Sequence, residues 1–284
     1  MSLTAYMMEL VLTDRSTFYS LAKDILPVVD RCSPTHAFIK LLQDQNKLLT
    51  NYTQNIDNIE EYAGIQPDRL IQCHGSWARA VCRKCGHNIP GIDIFPDVRA
   101  GRVPKCTQCP VLLANQSRKR KRSIFSSNAH KPSWSDSSSD GDYDIPEAGV
   151  MKPAITFFHE QLPNTFFDRL TDHDREAVDL VIVIGTSMKV SPVNQIPNYI
   201  PAKVPHVYIS RDPAPHINFD VSLFGYCDDI VGELARRAGW GIEHAEFDAH
   251  KQAVVEKFDN SGHHWKVAVP GTQHTAEEIA NPGV

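Results

Sequence analysis

Two cysteine pairs constrain this chain more than any other feature of its sequence. Cys82 and Cys85 are separated by two residues, as are Cys106 and Cys109, and residues 86–105 lie between the pairs. This spacing lets both thiolates of a pair face one ion, and a second pair completes a tetrahedron of soft ligands, which zinc favours. Four thiolates leave no position for water, so we predict a structural zinc site; a redox pair or chance spacing is the alternative.

Composition narrows the class of protein further. The chain has 284 residues, of which 42% are hydrophobic, and a formal net charge of −5. This length and apolar content suggest one large domain or two modest ones. Seven cysteines, an odd number with close pairs, favour a reducing compartment over a disulfide framework. The negative charge gives no general attraction to nucleic acid, and the sequence shows neither a long apolar span nor a convincing signal peptide.

The spacing of apolar residues predicts alternating helices and strands. Helices are predicted at residues 15–28, from Ser33 with Pro34 in the first turn, and at 228–238 before Gly239. Strands are predicted at residues 48–52, 154–158, 180–184 and 207–209. The run at 180–184 is apolar throughout, which is typical of a parallel strand covered on both faces. The alternation predicts an α/β fold with a Rossmann-like, doubly wound parallel sheet.

Residues 115–148 differ sharply in composition from their surroundings. Five consecutive basic residues, Arg118 to Arg122, precede a stretch rich in serine and aspartate from Ser133 to Asp144. We interpret the segment as a disordered insertion. The basic run is either a solvated loop or a nuclear-import signal, and we favour nuclear import. Phosphorylation of the serines would place negative charge next to it.

Three polar stretches are candidates for a ligand site. Gln54, Asn55 and Asp57 follow a predicted strand, and ligands of open α/β sheets bind beyond such strand ends. His74 can take a proton near neutral pH, although an isolated histidine is more often structural. Residues 185–187, Gly-Thr-Ser, follow the apolar strand and suit phosphate or ribose oxygens. Asn55 and Asp57 also suit a helix cap, and residues 185–187 an ordinary turn.

Together these segments resemble the sirtuin family of NAD-dependent protein deacetylases. The matching stretches are Thr53-Gln54-Asn55-Ile56-Asp57, Gln72-Cys73-His74-Gly75, the two cysteine pairs, Lys152-Pro153 leading to Phe157-Phe158, Gly185-Thr186-Ser187, Arg211-Asp212-Pro213 and Gly225-Tyr226-Cys227-Asp228. They occur in the family's order over roughly residues 15–240. The likeness is greatest to the fungal silencing branch, whose members act on histones.

The resemblance implies a role for each matching residue. His74 would be the general base acting on the ribose hydroxyls of NAD. The cofactor would be held by three groups of residues: Gln54, Asn55 and Asp57 at the nicotinamide and ribose, Gly185, Thr186 and Ser187 at the phosphates and ribose, and Ser210, Arg211 and Cys227 at the ribose and adenine end. The substrate peptide would lie as an added strand against Phe158, His159 and Glu160 and against Val190 to Val193.

The resemblance also implies a reaction and its partners. Acetyl would pass from a protein lysine to ADP-ribose with release of nicotinamide, which is a transferase chemistry. The expected cofactors are NAD and one structural zinc ion. The expected substrates are acetylated proteins, in particular histone tails, with silencing-complex proteins as further partners. We expect a nuclear protein of chromatin silencing and transcription regulation that contacts no membrane and does not itself bind nucleic acid sequence-specifically.

The chain departs from the sirtuin pattern at the start of the family's core. Sirtuins have a strand leading into a Gly-Ala-Gly-x-Ser turn and then a Pro-Asp-Phe-Arg segment, and neither motif occurs in these 284 residues. That turn would offer backbone N–H groups to the pyrophosphate. A fragment or truncated gene model, a need for a partner, and a pseudoenzyme are three explanations. We expect this chain to bind NAD poorly and to have little or no activity.

Two smaller departures and the domain plan complete the predictions. His159 stands where the family has glycine, and Ser210 stands where the fungal branch has asparagine. The expected domains are a Rossmann-like domain formed by residues 1–75 and 151–242 and incomplete at its N-terminus, a zinc module at 76–150 containing the insertion 115–148, and a C-terminal extension at 243–284. The competing hypothesis is a catalytically deficient scaffold that binds protein partners.

Overall fold

The structure, a computed structural model, describes residues 15–27, 30–111, 149–157, 160–248 and 250–271. The chain forms two compact units. Residues 1–27 and 76–159 form the first, which we call the zinc unit, and residues 28–75 and 160–284 form the second, which we call the sheet unit. Within the described ranges no helix is both long enough and apolar enough to cross a bilayer.

The elements are short and alternate along the chain. The strands are β1 Asn51–Thr53, β2 Leu70–Gln72, β3 Gly75–Cys82, β4 Asn88–Pro90, β5 Met151–Ile155, β6 Val181–Ile184, β7 His206–Ser210, β8 Val221–Phe224, β9 Val254–Lys257 and β10 His264–Ala268. The helices are α1 Arg15–Ala22, α2 Pro34–Asp44, α3 Ile59–Tyr62, α4 Phe95–Arg99, α5 Asn164–Arg169, α6 Arg175–Ala177, α7 Ile196–Tyr199 and α8 Cys227–Ala238. Short 3-10 turns lie at Lys23–Ile25, Pro67–Arg69, Gly91–Ile94 and Val193–Gln195, and a π-helical turn at Leu170–Asp174.

A mostly parallel sheet organises the sheet unit. Its five strands lie in the order β6-β7-β8-β10-β9. The first four run parallel, and β9 pairs with β10 in the antiparallel direction. Strands β1 and β2 form a separate parallel pair. The fold is therefore a Rossmann-like α/β fold with a parallel sheet, as the sequence predicts.

Both faces of the main sheet are covered because side chains alternate along each strand. On one face Val183, Tyr208 and Phe224 pack against Met188 and Ala214 from the connecting loops. On the other face the core is formed by strand residues and by α8, and its buried members are Ile209, Ile230 and Val267. Burying side chains of this size contributes about 1.5–3 kcal/mol each, which holds helix and loops to the sheet.

Helices α2 and α8 pack together in the sheet unit, where Phe38 meets Val231. Ser33 caps α2, and its hydroxyl lies 2.8 Å from Nδ1 of His36. The Asp228 carboxylate, in the first turn of α8, accepts the Thr35 N–H at 2.8 Å. This bond satisfies a backbone donor at the start of α2, which has no partner within its own helix.

The zinc unit contains a small sheet in the order β4-β3-β5. Trp77 of β3 is 1% exposed and meets Phe95 edge to face, with 6.0 Å between ring centroids. A Cβ atom on Gly91 would lie 1.7 Å from the Trp77 carbonyl oxygen, so only glycine allows this close approach. The Tyr19 hydroxyl of α1 donates to the Met151 carbonyl of β5, which ties the helix to the sheet.

Several predicted elements differ from the structure in their bounds. The helix predicted at 15–28 ends at Ala22 and gives way to a 3-10 turn, because Pro27 favours an extended Leu26. The strand predicted at 48–52 is Asn51–Thr53, and the strand predicted at 154–158 is Met151–Ile155, paired within the zinc unit. No element was predicted beyond residue 241, yet β9 and β10 lie there.

The predicted domain boundaries and the predicted disordered insertion both stay predictions. The segment 115–148 lies outside the described residues. Helix α1 is nevertheless part of the zinc unit, and β10, from the predicted C-terminal extension, pairs with β8 in the main sheet.

Candidate functional site

The four paired cysteines converge in the zinc unit. Their sulfur atoms all lie within 4.8 Å of one another, and Cys82, Cys106 and Cys109 are buried. The Cys82–Cys109 sulfur distance is 3.5 Å and the Cys85–Cys106 distance is 3.7 Å. Four thiolates at about 2.3 Å from a tetrahedral zinc ion would stand about 3.8 Å apart. The cluster therefore fits one structural zinc ion, as predicted from the spacing.

Backbone groups orient the first of these thiolates. The N–H groups of Lys84 and Cys85 point to the Cys82 sulfur at 3.4 and 3.5 Å. Burial acts to raise the pKa of Cys82, but these N–H bonds outweigh it and lower the pKa to about 7. A thiolate is the form that binds metal.

Gly149 is a part of this site that the sequence analysis did not identify. A Cβ atom there would lie 2.5 Å from the Cys82 sulfur and 3.1 Å from the Cys109 sulfur. Its carbonyl also accepts the Cys106 N–H at 2.7 Å. Glycine is thus required at this position because the cysteine sulfur atoms leave no room for a side chain. Nothing in the sequence around residue 149 indicated this requirement.

A second candidate site lies at the carboxyl ends of strands in the sheet unit. Gln54 follows β1, His74 lies two residues after β2, and Thr186 lies two residues after β6. The Gln54 side-chain amide donates to the Thr186 hydroxyl at 2.9 Å. Nδ1 of His74 lies 2.9 Å from the Gln54 carbonyl oxygen. The structure therefore brings together three of the predicted residues from three distant segments.

The bond to Gln54 defines the chemistry of His74. A carbonyl oxygen only accepts, so Nδ1 carries the proton and Nε2 of the neutral ring has a free lone pair. The ring is half-buried, in the turn between β2 and β3, and is not enclosed by the apolar core. A half-buried imidazole with a fixed tautomer and an open Nε2 is suited to act as a general base.

Asn55 and Asp57 lie beside this group but are held by local bonds. The Asn55 N–H donates to the Thr53 hydroxyl at 3.1 Å, and Oδ1 of Asp57 accepts the Ile59 N–H at 3.0 Å. This bond supports the first turn of α3, whose N-cap residue is Asn58 rather than Asn55 or Asp57. That bond uses one carboxylate oxygen and leaves the other able to bind a ligand hydroxyl.

The residues proposed for the adenine end form a neighbouring group. The Gly225 N–H donates to the Ser210 carbonyl at 3.0 Å, which joins the end of β7 to the loop before α8. The Arg211 guanidinium lies over the Tyr226 ring at 5.6 Å. Burial raises the pKa of the Cys227 thiol to about 11, so the thiol is neutral. A Cβ atom on Gly185 would lie 3.7 Å from its sulfur.

The residues proposed for the substrate are described only in part. Phe158 and His159 lie outside the described residues, and Glu160 is half-buried. Val190 is 36% exposed, whereas the Val193 side chain is buried in the core with Phe166. Of these two valines, only Val190 is therefore exposed enough to contact a peptide.

A family model described as the Sir2 family matches residues 2–192. The chain belongs to the Sir2 family. The zinc site, the His74 turn and the Gly185 turn all lie within the matched range. This agrees with the resemblance to sirtuins seen in the sequence.

Curated fungal relatives are similar over most of the chain. An "NAD-dependent histone deacetylase SIR2" of Kluyveromyces lactis is 43% identical over 257 residues, which cover 88% of this chain and 37% of the relative. The Schizosaccharomyces pombe protein of that name is 44% identical over 227 residues, 78% of this chain and 46% of the relative. The Saccharomyces cerevisiae protein is 45% identical over 240 residues, 83% and 41% respectively. These similarities support the fungal silencing branch. The chain spans less than half the length of these relatives.

The residues at the strand ends fit NAD, the co-substrate that the family uses. The amide groups of Gln54 and Asn55 and the hydroxyls of Thr186 and Ser187 offer neutral donors and acceptors to an amide, a ribose and a diphosphate. Gly185 has a φ of +66° and no side chain, so its backbone is open to close approach by a ligand.

Proposed function

We propose that this chain carries the site of an NAD-dependent protein-lysine deacetylase. One observation carries the proposal: the His74 ring is fixed by the Gln54 carbonyl at 2.9 Å, where the Gln54–Thr186 bond joins the ends of β1 and β6. A proton acceptor and the donors for a dinucleotide thus share one edge of the unit. Membership of the Sir2 family and similarity to NAD-dependent histone deacetylases support the same chemistry.

NAD, when bound, supplies a positively charged nicotinamide that leaves readily and a ribose that accepts the acetyl group. Asn55 and Asp57 would hold the nicotinamide and ribose, and Thr186 and Ser187 would donate hydrogen bonds to the phosphates and the second ribose. The Asp57 carboxylate oxygen that does not accept the Ile59 N–H is suited to a ribose hydroxyl. None of these groups needs to change its protonation state.

His74 would move the proton of the reaction. Its Nε2 takes a proton from a ribose hydroxyl, which makes that oxygen a better nucleophile toward the acetyl carbon. The Nδ1–H bond to Gln54 becomes stronger as the ring gains positive charge. General bases of this kind contribute about 10²- to 10⁴-fold to a rate.

The proposed substrate is an acetylated lysine in an extended peptide, in particular a histone tail. The segment from Val190 to Val193 is the proposed edge for an added strand, a mode of recognition in which main-chain bonds give the affinity. The similar fungal proteins are histone deacetylases, which supports a nuclear role in chromatin silencing. The basic run at residues 118–122 supports nuclear import. Silencing-complex proteins are the partners that this role requires.

The test is acetyl transfer by the purified full chain. NAD at millimolar concentration is incubated with an acetylated histone-tail peptide, and released nicotinamide and acetylated ADP-ribose are measured by mass spectrometry. We expect slow formation of both products with the acetylated peptide and none with the same peptide unacetylated. Equal nicotinamide release with both peptides would refute the proposed function, since the reaction would then be hydrolysis of NAD.

A second candidate function is a scaffold with little or no catalysis. Strand β6 is apolar throughout, yet of its four residues only Val183 is buried. Nδ2 of Asn51 and Oε2 of Glu60 are buried without a hydrogen-bond partner among the described residues. The partly exposed β6 leads into the strand ends that carry Gln54, His74 and Thr186, which we call the cofactor edge, and its exposure supports loss of NAD binding, the outcome that would leave only a scaffold. Calorimetric titration with NAD separates the two functions: the enzyme shows weak but saturable binding, and the scaffold shows none.

A further inference from the structure

The turn after β6 has a backbone that needs external support. Gly185 has a φ of +66° and Met188 a φ of +51°. A positive φ is uncommon outside glycine and persists only where the surrounding structure holds it. The Gly185 N–H donates to the Ile209 carbonyl at 2.9 Å, and the Met188 N–H donates to the Thr186 hydroxyl at 3.2 Å. These bonds leave the carbonyl groups of Thr186 and Met188 to be held by other residues.

The Tyr208 side chain holds the Thr186 carbonyl group. This side chain is 1% exposed, and its ring stacks on Phe219 with 4.7 Å between centroids. The hydroxyl lies 3.0 Å from the Thr186 carbonyl oxygen and 3.2 Å from that of Asp212. Burial raises the pKa of Tyr208, so the hydroxyl keeps its proton and donates it between these two acceptors.

His216 holds the second carbonyl group from the outside. Its Nε2 lies 2.8 Å from the Met188 carbonyl oxygen, so Nε2 carries a proton and donates. His216 lies two residues after Ala214, which is buried in the same cluster as Met188. The Met188 side chain is itself only 3% exposed. The turn is thus fixed by hydrogen bonds from Tyr208 and His216 and by the buried side chain of Met188.

We propose that Tyr208 is a positioning residue for the cofactor, acting through the Thr186 carbonyl, with His216 as its second support. The inference rests on the proposed function, in which Thr186 and Ser187 donate to the phosphates and ribose of NAD. The buried Tyr208 would act through the turn and not by its own contact with the cofactor. Hydrogen bonds to a ligand weaken steeply with small errors of distance and angle, so a loosened turn loses affinity although both of its hydroxyls remain.

Hydrogen–deuterium exchange of the full chain tests this proposal without requiring activity. Tyr208→Phe removes only the hydroxyl and keeps the stacked ring. We expect amide exchange in peptides covering residues 186–190 to become about fivefold faster, with β7 and β8 unchanged. Tyr199→Phe is the matched control, because Tyr199 is 42% exposed and lies in α7, outside the turn. Unchanged exchange at residues 186–190 in Tyr208→Phe would overturn the proposal.

The second support is tested by a pair of substitutions. His216→Ala removes the donor, whereas His216→Gln places an amide N–H at a similar reach. Faster exchange at residues 186–190 in His216→Ala, restored to within about twofold in His216→Gln, is the expected result. Equal acceleration in both variants would show that a side-chain N–H at this reach does not hold the turn, which would contradict the role of His216.

Titration with ADP-ribose separates this inference from the proposed function. If the wild-type chain binds ADP-ribose, Tyr208→Phe should weaken binding about fivefold and Tyr199→Phe should not. Equal affinity in Tyr208→Phe together with a loosened turn would overturn the positioning role. If the wild-type chain binds neither ADP-ribose nor NAD, the proposed function and the cofactor role that rests on it both fail, even where exchange shows that Tyr208 braces the turn.

Discussion

The zinc site and the cofactor edge are assembled from the chain in opposite ways. The zinc site takes its four ligands from two short segments, and the spacing within each pair already sets which side chains meet. The cofactor edge joins Gln54, His74 and Thr186, which belong to three segments separated by up to 132 residues. Local chemistry specifies the first site, whereas strand order and backbone conformation specify the second.

This difference indicates which substitutions should disrupt each site. The zinc site depends on each of its ligands, because a closed tetrahedron has no substitute for a lost thiolate. Under our proposal the cofactor edge also depends on supporting contacts behind it, such as the bond from the Tyr208 hydroxyl to the Thr186 carbonyl. Substitutions in the two regions should therefore differ in size and in what they disturb.

Loss of a zinc ligand should have the largest effect. Cys109→Ser is expected to release the zinc and to abolish the amide-exchange protection of β3, since structural zinc contributes directly to folding. Zinc content per chain and hydrogen exchange measure the two effects. Cys32→Ser is the control, because Cys32 lies in the sheet unit outside the cluster. A full complement of zinc in Cys109→Ser would show that the fourth ligand is not needed.

Crowding a zinc ligand should have a smaller effect in the same region. In Gly149→Ala the new Cβ would press on the Cys82 sulfur, now 2.5 Å from that position. We expect zinc to dissociate about tenfold faster, measured by transfer to a chromogenic chelator. Gly241→Ala is the control, because a Cβ there has nothing within 4 Å. Equal dissociation rates in the two variants would mean that the zinc unit accommodates a side chain at position 149 without weakening zinc binding.

A charge cluster on α8 should give the smallest effect. Glu233 is buried and bonds to Arg236 and Arg237 at 2.6–2.8 Å. The hydrogen bond from Arg236 is the main cause that lowers the pKa of Glu233 to about 2, below the ordinary 4.5. Because the folded-state pKa is the lower one, Glu233 stabilises fully above pH 4.5 and loses this contribution as the pH falls toward 2.

Glu233→Gln should therefore lower the free energy of unfolding by about 1 kcal/mol at pH 7 and by less at pH 3. Urea unfolding at both values measures it. The arginines are 40% and 60% exposed, which keeps the effect small because solvent screens the pairs. A difference between wild type and variant that grows on acidification would contradict the sign of this linkage.

How much the sequence could predict follows the same contrast. Three predictions came from local signals: the metal site from the cysteine spacing, strand β6 from its apolar run, and the start of α2 from the Ser33 cap. The strands β9 and β10 were missed because β9 is an exposed, partly charged edge strand without a clear apolar pattern. Tyr208 and His216 were missed because their partners are backbone carbonyl groups, which carry no sequence signal.

The central claim is that His74 is the base of an NAD-dependent acetyl transfer. The most direct measurement compares acetylated ADP-ribose formed at millimolar NAD by the wild-type chain, by His74→Ala, and by His250→Ala, which changes an exposed histidine outside the site. We predict slow product formation in the wild type, the same rate in His250→Ala, and a loss of at least about 100-fold in His74→Ala. Product formation by His74→Ala at the wild-type rate would contradict the claim.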